Sequence, residues 1–156
     1  MRATTLCYLE QNGQYLMLHR VRKANDPNHD KWIGVGGGIE ENETPDQCLL
    51  REVREETGLT LTRWQKRGVI DFISDQWEDE VMHLYTADQW TGEITDCDEG
   101  VLEWVAKEKI TSLPLWEGDK VFLDLLTRDV PCFHLRLEYH GEALAHAVLN
   151  GKEIET

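Results

Sequence analysis

The sequence contains no long apolar run. The chain has 156 residues, and none of its apolar stretches approaches the roughly 20 residues that a transmembrane helix needs. Its first residues lead into a short apolar segment and lack the three-part organisation of a secretory signal peptide. These absences predict a water-soluble protein of the cytoplasm with no membrane partner.

Basic residues are also scarce. Lysine and arginine together number 16 against 30 acidic residues, which gives a net charge of −14. Because such a surface repels a long polyanion, the composition argues against a nucleic acid polymer as a partner. A small nucleotide that arrives with divalent cations remains compatible with this charge.

Cysteine is infrequent as well. The four cysteines, Cys7, Cys48, Cys97 and Cys132, show neither metal-ligand spacing nor the density of a disulfide framework. We expect reduced thiols, with Cys7 and Cys48 packed in the interior.

No repeat, low-complexity segment or linker divides the chain, so its length predicts one domain spanning residues 1–156. A monomer and a homodimer are both consistent with this prediction.

Hydrophobic periodicity predicts strands interleaved with two main helices. The expected strands are 4–9 and 14–19, joined by an Asn-Gly hairpin turn, then 31–35, 67–74, 80–87 and 101–105, and a C-terminal hairpin of 133–139 and 143–149. A second helix opens at 116–119 and runs to 127. Loops are expected at 24–30 and 89–93, and a frayed tail at 153–156. This order predicts an α/β sandwich with a mixed sheet, and composition alone does not distinguish it from other α/β layouts.

The first main helix has well-defined start and stop signals. Thr44 is suited to the N-cap, Pro45 to the first helical position, and Gln47 to the reciprocal position of a capping box. Gly58 is suited to the position just after the last helical residue. The apolar stripe of this helix consists of Leu49, Leu50 and Val53.

Three carboxylates lie beside that stripe. Glu52, Glu55 and Glu56 have i, i+3, i+4 spacing and share one face of the helix. A solvated acidic face is the commoner meaning of such a pattern. Here two of the acids occupy the last turn, where the helix dipole and mutual repulsion both disfavour anions. Arg51 compensates only part of that charge, so the pattern favours a divalent cation with oxygen ligands, of which Mg²⁺ is the typical case.

A run of three glycines precedes the helix. Gly36, Gly37 and Gly38 allow the backbone to approach a ligand closely, and the Gly36 carbonyl could complete a metal shell. Many glycine runs are only turns, so the run alone indicates little. We expect it to form a loop.

The combined spacing is specific. Gly37, five residues, Glu43, seven residues and then Arg51-Glu52-Val53-Arg54-Glu55-Glu56-Thr57-Gly58-Leu59 match every fixed position of the Nudix box, which here spans residues 37–59. The chain resembles the MutT-like branch of the Nudix hydrolases, and is similar to bacterial MutX-type enzymes that hydrolyse oxidised purine nucleoside triphosphates. The resemblance implies the Nudix fold, a mixed β-sheet between helices.

The same resemblance implies the roles of the site residues. A nucleoside triphosphate would be cleaved to a monophosphate and pyrophosphate with Mg²⁺, or with Mn²⁺ in its place. Arg51 would orient the carboxylates, while Glu43 and Gly37 would brace the glycine run against the helix. The implied metal ligands are Gly36, Glu52, Glu55, Glu56 and Glu99, with Glu52 as general base and Glu99 as its alternative. For Glu99 the competing interpretation is a solvated acidic loop.

The resemblance also implies a nucleotide-binding set. Arg20 and Lys23 would lie near the triphosphate, although a plain charged loop is an equal alternative. Phe72 either fills the core or lines the base pocket. Trp116 would stack on the purine and Asp119 would read its edge, whereas a tryptophan at a helix entrance more often only packs.

Departures from the family pattern leave other substrates open. Gly38 stands where many relatives have lysine, and Ile33 where some have a pocket asparagine, so base selection could differ. The rival predictions are another pyrophosphate substrate such as a pterin triphosphate or an RNA 5′ end, a non-catalytic nucleotide-binding module, and an acidic Ca²⁺ module. The lack of proline between Pro45 and Pro114 argues against ADP-ribose.

Overall fold

The computed structural model describes residues 1–23 and 25–155. The predicted loop at 24–30 begins at Ala24 and the predicted frayed tail ends at Thr156, and these two residues lie outside the described part. The described residues form ten strands, two α-helices and one 3₁₀ segment. They are β1 (Arg2–Gln11), β2 (Gln14–His19), β3 (Trp32–Ile33), β4 (Val35–Gly38), α1 (Pro45–Thr57), β5 (Thr60–Ser74), β6 (Glu80–Thr91), β7 (Val101–Ala106), the 3₁₀ segment (Lys107–Ser112), α2 (Glu117–Thr127), β8 (Phe133–His140), β9 (Ala143–Leu149) and β10 (Lys152–Ile154).

The strands form one mixed sheet in the order β10-β9-β8-β5-β6-β1-β2-β3, to which β4 is added by pairing with β1 and β7 by pairing with β2. The β1–β6 and β5–β8 pairs are parallel, and the other pairs are antiparallel. Strand β1 therefore joins the central sheet to the smaller group formed by β2, β3 and β7.

Alternation along β1 divides the core between the two faces of the sheet, because successive side chains of a strand point to opposite sides. Cys7 packs with Val53 of α1 in one hydrophobic cluster. Tyr8 packs with Phe122 of α2 in the other. A helix thus covers each face, and the predicted mixed sheet between helices is confirmed.

Helix α1 begins and ends as its capping signals predict. The Thr44 hydroxyl accepts from the Gln47 N–H at 3.1 Å, and the Gln47 side chain accepts from the Thr44 N–H at 2.9 Å. Gly58 adopts the left-handed conformation with φ 82°, where a glycine carries no steric penalty.

Strands β5 and β6 extend several residues beyond their predicted bounds. Strand β5 starts at Thr60 and β6 continues to Thr91, so the turn expected at 89–93 begins only at Gly92, which has φ 95°. The extensions pair with each other through register shifts, which blur the two-residue periodicity on which the prediction relied. Within the tail expected to fray, residues 153–154 belong to β10, which pairs with β9.

The cysteines are free thiols. Cys7 and Cys48 are buried as expected, Cys97 is buried as well, and Cys132 is exposed. No helix in the described part of the chain has both the length and the apolar character of a membrane span.

Candidate active site

The glycine run is a strand and not the expected loop. Gly36, Gly37 and Gly38 belong to β4 and pair with β1. A Cβ atom at Gly36 would lie 1.9 Å from the Thr5 carbonyl oxygen, and one at Gly37 would lie 2.6–2.8 Å from the Glu52 carboxylate. Glycine is required at position 36 because β4 lies directly against the backbone of β1 there, and a side chain at position 37 would displace the Glu52 carboxylate.

Glu56 points inward from α1 and is 6% exposed. Its Oε2 accepts a hydrogen bond from the Gly36 N–H at 2.9 Å. Burial, together with the contacting carboxyl group of Glu99, raises the pKa of Glu56 to about 9. Two carboxyl groups in contact need a positive charge between them, either a proton or a cation.

Arg51 organises the carboxylates on the exposed side of α1. Its Nε and Nη2 donate to the two Glu43 oxygens at 2.7 and 2.9 Å. Nη1 donates to Glu52 at 2.8 Å and to Glu55 at 3.3 Å, and Nη2 reaches the Gly38 carbonyl at 3.0 Å. The Arg51 hydrogen bonds lower the pKa of Glu43 to about 2. Burial, by contrast, raises the pKa of Glu52.

The oxygen donors suit a hard divalent cation. In an extended strand the N–H and C=O of one residue point to the same side, so the Gly36 carbonyl faces Glu56. Within residues 1–23 and 25–155, no three acidic, imidazole or thiol side chains already enclose an ion position. Arg51 holds Glu52 through Oε1 and Glu55 through Oε2, so each carboxylate keeps a second oxygen.

A cavity of about 470 Å³ adjoins these acids, a volume within the range of small-molecule sites. At one end it is lined by the glycine strand, Glu52, Glu99 and Arg20. At the other end it is lined by Phe72, Trp116 and Asp119. The charged end and the aromatic end therefore belong to one continuous space.

The aromatic end is rigidly built. The Trp116 indole N–H donates to Asn28 Oδ1 at 2.7 Å, and the Lys31 ammonium lies 4.8 Å from the centroid of the Trp116 ring. Phe72 meets Trp116 edge-on at 5.7 Å and also packs against Tyr139. Phe72 therefore packs against the core and also lines the cavity, and its role in a base pocket stays a prediction.

Asp119 lies beside this aromatic wall and is 6% exposed. Burial raises its pKa to about 8, and the nearby Lys31 opposes that rise. A carboxyl group that keeps its proton can donate one hydrogen bond and accept another. Asp119 can thus recognise a ligand that presents both a donor and an acceptor.

Comparison with known families is decisive for the class of protein. The family model described as "NUDIX domain" matches residues 1–126. The chain belongs to the Nudix family. It is a hydrolase acting on phosphoanhydride bonds, and the predicted family is confirmed.

Several relatives of this Nudix hydrolase cover most of its length. The uncharacterized Nudix hydrolase YvcI of Bacillus subtilis is 29% identical over 147 residues, which cover 91% of this chain and 89% of that protein. The oxidized purine nucleoside triphosphate hydrolase of Danio rerio is 36% identical over 126 residues, 78% of this chain and 77% of that protein. The crystal structure of the Bacillus halodurans MutT protein has a TM-score of 0.85 at 24% identity and covers 96% of this chain and 98% of that one. This last likeness shows a shared fold.

Not every predicted site residue of the Nudix hydrolase lies at the cavity. The Arg20 guanidinium lines it and bonds Asp26 at 2.6 Å and Glu99 at 3.1 Å. Lys23 stays outside the wall, 58% exposed and 3.9 Å from Glu99. Glu55 is likewise outside, 59% exposed and bonded to Arg51.

Some residues that line the cavity are not among the predicted site residues. Arg2 lines the cavity from the start of β1, and Trp77 lines it from the loop between β5 and β6. The alternation Arg2-Thr4-Leu6 does indicate a shared face of β1. The sequence gives no signal that this face meets β4 and the loop that carries Trp77, because those neighbours depend on strand order.

Proposed function

We propose that this Nudix hydrolase is a Mg²⁺-dependent pyrophosphohydrolase of oxidised purine nucleoside triphosphates resembling 8-oxo-dGTP, which it converts to monophosphate and pyrophosphate. The observation that carries the proposal is the single cavity that joins the acidic glycine-strand end to the aromatic end with Asp119. A nucleotide has the same two halves, a charged polyphosphate and a flat base with polar edges.

The aromatic end suits a purine. Trp116 and Phe72 bring aromatic rings to the cavity lining, and aromatic contacts of this kind bind any flat base. Asp119 supplies the selective contact, because a protonated carboxyl group pairs with adjacent donor and acceptor atoms on a base edge. The Danio rerio relative is named for oxidised purine triphosphates, which supports the same substrate class here.

The acidic end suits a metal-assisted displacement. We propose Glu52, Glu55, Glu56, Glu99 and the Gly36 carbonyl as the ligands of Mg²⁺, or of Mn²⁺ in its place. When bound, the metal would neutralise the phosphate oxygens and help to activate water. The Gly36 N–H holds Oε2 of the Glu56 carboxylate in position, and Glu99 is a close neighbour of the same carboxyl group.

The remaining chain groups position the reacting parts. Arg51 fixes Glu52 and Glu43, so the carboxylate that we propose as general base is held in place by its ion pair; Glu99 is the alternative base. Arg20, held between Asp26 and Glu99, would face the phosphates, with Lys23 behind it. We further propose that residues 1–156 act as one cytoplasmic domain on a small nucleotide and not on a nucleic acid polymer.

The test is a substrate panel with product analysis. Pyrophosphate and orthophosphate release would be measured for the four canonical deoxynucleoside triphosphates, 8-oxo-dGTP, a pterin triphosphate and a 5′-triphosphorylated RNA, and AMP release for ADP-ribose, each with Mg²⁺ and with chelator. We expect pyrophosphate release, greatest from the oxidised purine and abolished by chelator. Preference for another compound, or turnover with chelator present, would overturn the proposal.

Glu56→Gln tests the metal end separately. The amide keeps the size of the side chain but is a poor ligand for a hard cation, so turnover should fall by at least about a hundred-fold. Glu108→Gln, which makes the same change at an exposed residue of the 3₁₀ segment, should retain full activity. Melting temperatures within experimental error of wild type would show that both variants are folded. Full activity of folded Glu56→Gln would exclude this role.

A further inference from the structure

Arg2 brings a guanidinium to the glycine strand. It lies at the start of β1, where its N–H donates to the Asp79 carbonyl at 2.9 Å. A Cβ atom built on Gly38 would lie 3.3 Å from Arg2 Nη2 and 3.6 Å from Nε. The Arg2 head group therefore occupies the space that a side chain at position 38 would enter.

The cavity wall needs positive charge at this point if it is to hold an anion. Among the described residues that line the cavity, the basic ones are Arg2 and Arg20, whereas the acidic ones are Asp26, Glu52, Glu78, Glu80, Glu99 and Asp119. Arg20 is already bonded to two carboxylates at 2.6 and 3.1 Å. Arg20 would therefore face a polyphosphate with a charge that these two carboxylates already share.

Arg2 is less tightly engaged. Its Nη1 lies 3.8 Å from Glu80 Oε1, and its side chain is 56% exposed. The Glu80 carboxylate also accepts from the Thr4 hydroxyl at 3.1 Å. A half-exposed ion pair of this length contributes little to stability, so the guanidinium can exchange Glu80 for a phosphate at little cost.

We infer that Arg2 is a substrate-binding residue of this Nudix hydrolase. Its guanidinium holds the polyphosphate of the nucleotide next to Gly38. The inference rests on the proposed function, since it assumes a polyphosphate substrate. Arginine is well suited to the task because its planar head donates two parallel hydrogen bonds to phosphate oxygens. Arg2 lies outside the Nudix box and belongs to a different element of the sheet.

The first measurement separates phosphate binding from base binding. Arg2→Gln should raise KM for the preferred triphosphate about ten-fold with kcat nearly unchanged, because it removes an interaction that the ground and transition states share. Affinity for the matching nucleoside, which has no phosphate, should not change. The KM difference should shrink as KCl is added, since a half-exposed charge is screened.

A matched control excludes effects of net charge. Arg63→Gln removes a guanidinium of similar exposure, 62%, on β5, where Arg63 pairs with Asp88 of β6. Arg63 is not among the residues that line the cavity. The variant should leave KM unchanged. An equal rise in KM for Arg63→Gln would overturn the inference, as would an equal loss of nucleoside affinity in Arg2→Gln, which would indicate a structural role.

A rescue variant makes the test specific. Gly38 does not have a positive φ, so lysine is allowed there once the Arg2 head is gone. The double variant Arg2→Gln/Gly38→Lys should recover most of the lost affinity by returning a cation to the same space. With wild type active, an unchanged KM in Arg2→Gln would overturn the inference and leave the proposed function intact. A raised KM that the double variant does not lower would overturn the inference as well. If wild type hydrolyses no triphosphate, the proposed function itself fails.

Discussion

Two buried acids in this protein have been given opposite environments. Burial raises the pKa of both Glu56 and Asp119, to about 9 and about 8. Glu56 contacts a second carboxyl group and a backbone N–H, an arrangement that attracts a cation. Asp119 is instead kept available as a neutral donor by its burial, which outweighs the opposing charge of Lys31. The same functional group, a buried carboxyl, thus occurs in two different environments near one cavity.

The buried Asp119 predicts a pH dependence of stability. Its pKa rises from 3.8 to about 8 on folding, so the folded state retains a proton that the unfolded chain loses above about pH 4. The resulting stabilisation is complete below about pH 4 and disappears as the pH rises towards 8. The side chain of Asp119→Asn stays neutral at every pH, so the variant does not share this loss. Its free energy of unfolding minus that of wild type should therefore increase by a few kcal/mol as the pH rises from about 4 to 8.

Urea titrations at several pH values would measure this trend. Asp124→Asn makes the same change at a side chain of α2 that is 63% exposed, and it should show no such divergence. Parallel pH profiles for Asp119→Asn and wild type would contradict the prediction.

At the scale of elements, helix α1 and strand β4 depend on one another. The helix presents Glu52 and Glu56, and the strand meets them with glycine backbone. Each is weak alone, because a short strand of glycines has little preference for extended structure and a 13-residue helix is marginal without packing. The contact between them fixes the acids relative to the cavity.

The capping box should therefore contribute measurably to stability. Thr44→Ala removes the acceptor for the Gln47 N–H and should lower the free energy of unfolding by about 1 kcal/mol. Thr44→Ser keeps the hydroxyl oxygen and should stay within a few tenths of a kcal/mol of wild type. Chemical denaturation with an unchanged m value would check both. Equal losses in the two variants would show that the methyl group, and not the cap, matters.

At the scale of the whole molecule, the cavity draws on distant parts of the chain. Arg2, Glu52, Glu99 and Asp119 come from β1, α1, the segment before β7, and α2. The sheet brings them together because β1 pairs with β4 on one side and with β6 on the other. The whole chain carries a net charge of −14, so charge repulsion acts on the folded molecule as a whole.

This repulsion predicts that salt stabilises the protein. Between low ionic strength and about 0.15 M the Debye length falls to about 8 Å, so the free energy of unfolding should rise over that range and then level off. Thermal or urea unfolding in KCl would measure the change, and NaCl should give the same curve if screening is the cause. A fall in stability with added salt would mean that specific ion pairs outweigh the net charge.

The most accurate predictions are those that depend on a short stretch of sequence. The capping residues of α1, the hairpin turn at Asn12-Gly13 and the fixed positions of the Nudix box each depend on a few neighbouring residues, and the structure confirms the first two while the family comparison confirms the third. The prediction that the glycine run forms a loop is wrong, because the strand with which it pairs lies about thirty residues away in sequence. The predicted start of β5 and the predicted end of β6 are wrong, because register shifts hide the alternation of apolar and polar residues there.

The sequence alone determined the family, the capped acidic helix and the presence of both an acidic and an aromatic set of residues, because these follow from spacing along one stretch of chain. Only the tertiary structure decided that Glu56 and Asp119 are buried, that Glu55 and Lys23 remain outside the cavity wall, and that Arg2 reaches Gly38. Burial and charge proximity depend on which strands become neighbours in the sheet. Strand order is set by the packing of the whole core on both faces, and no local pattern encodes it.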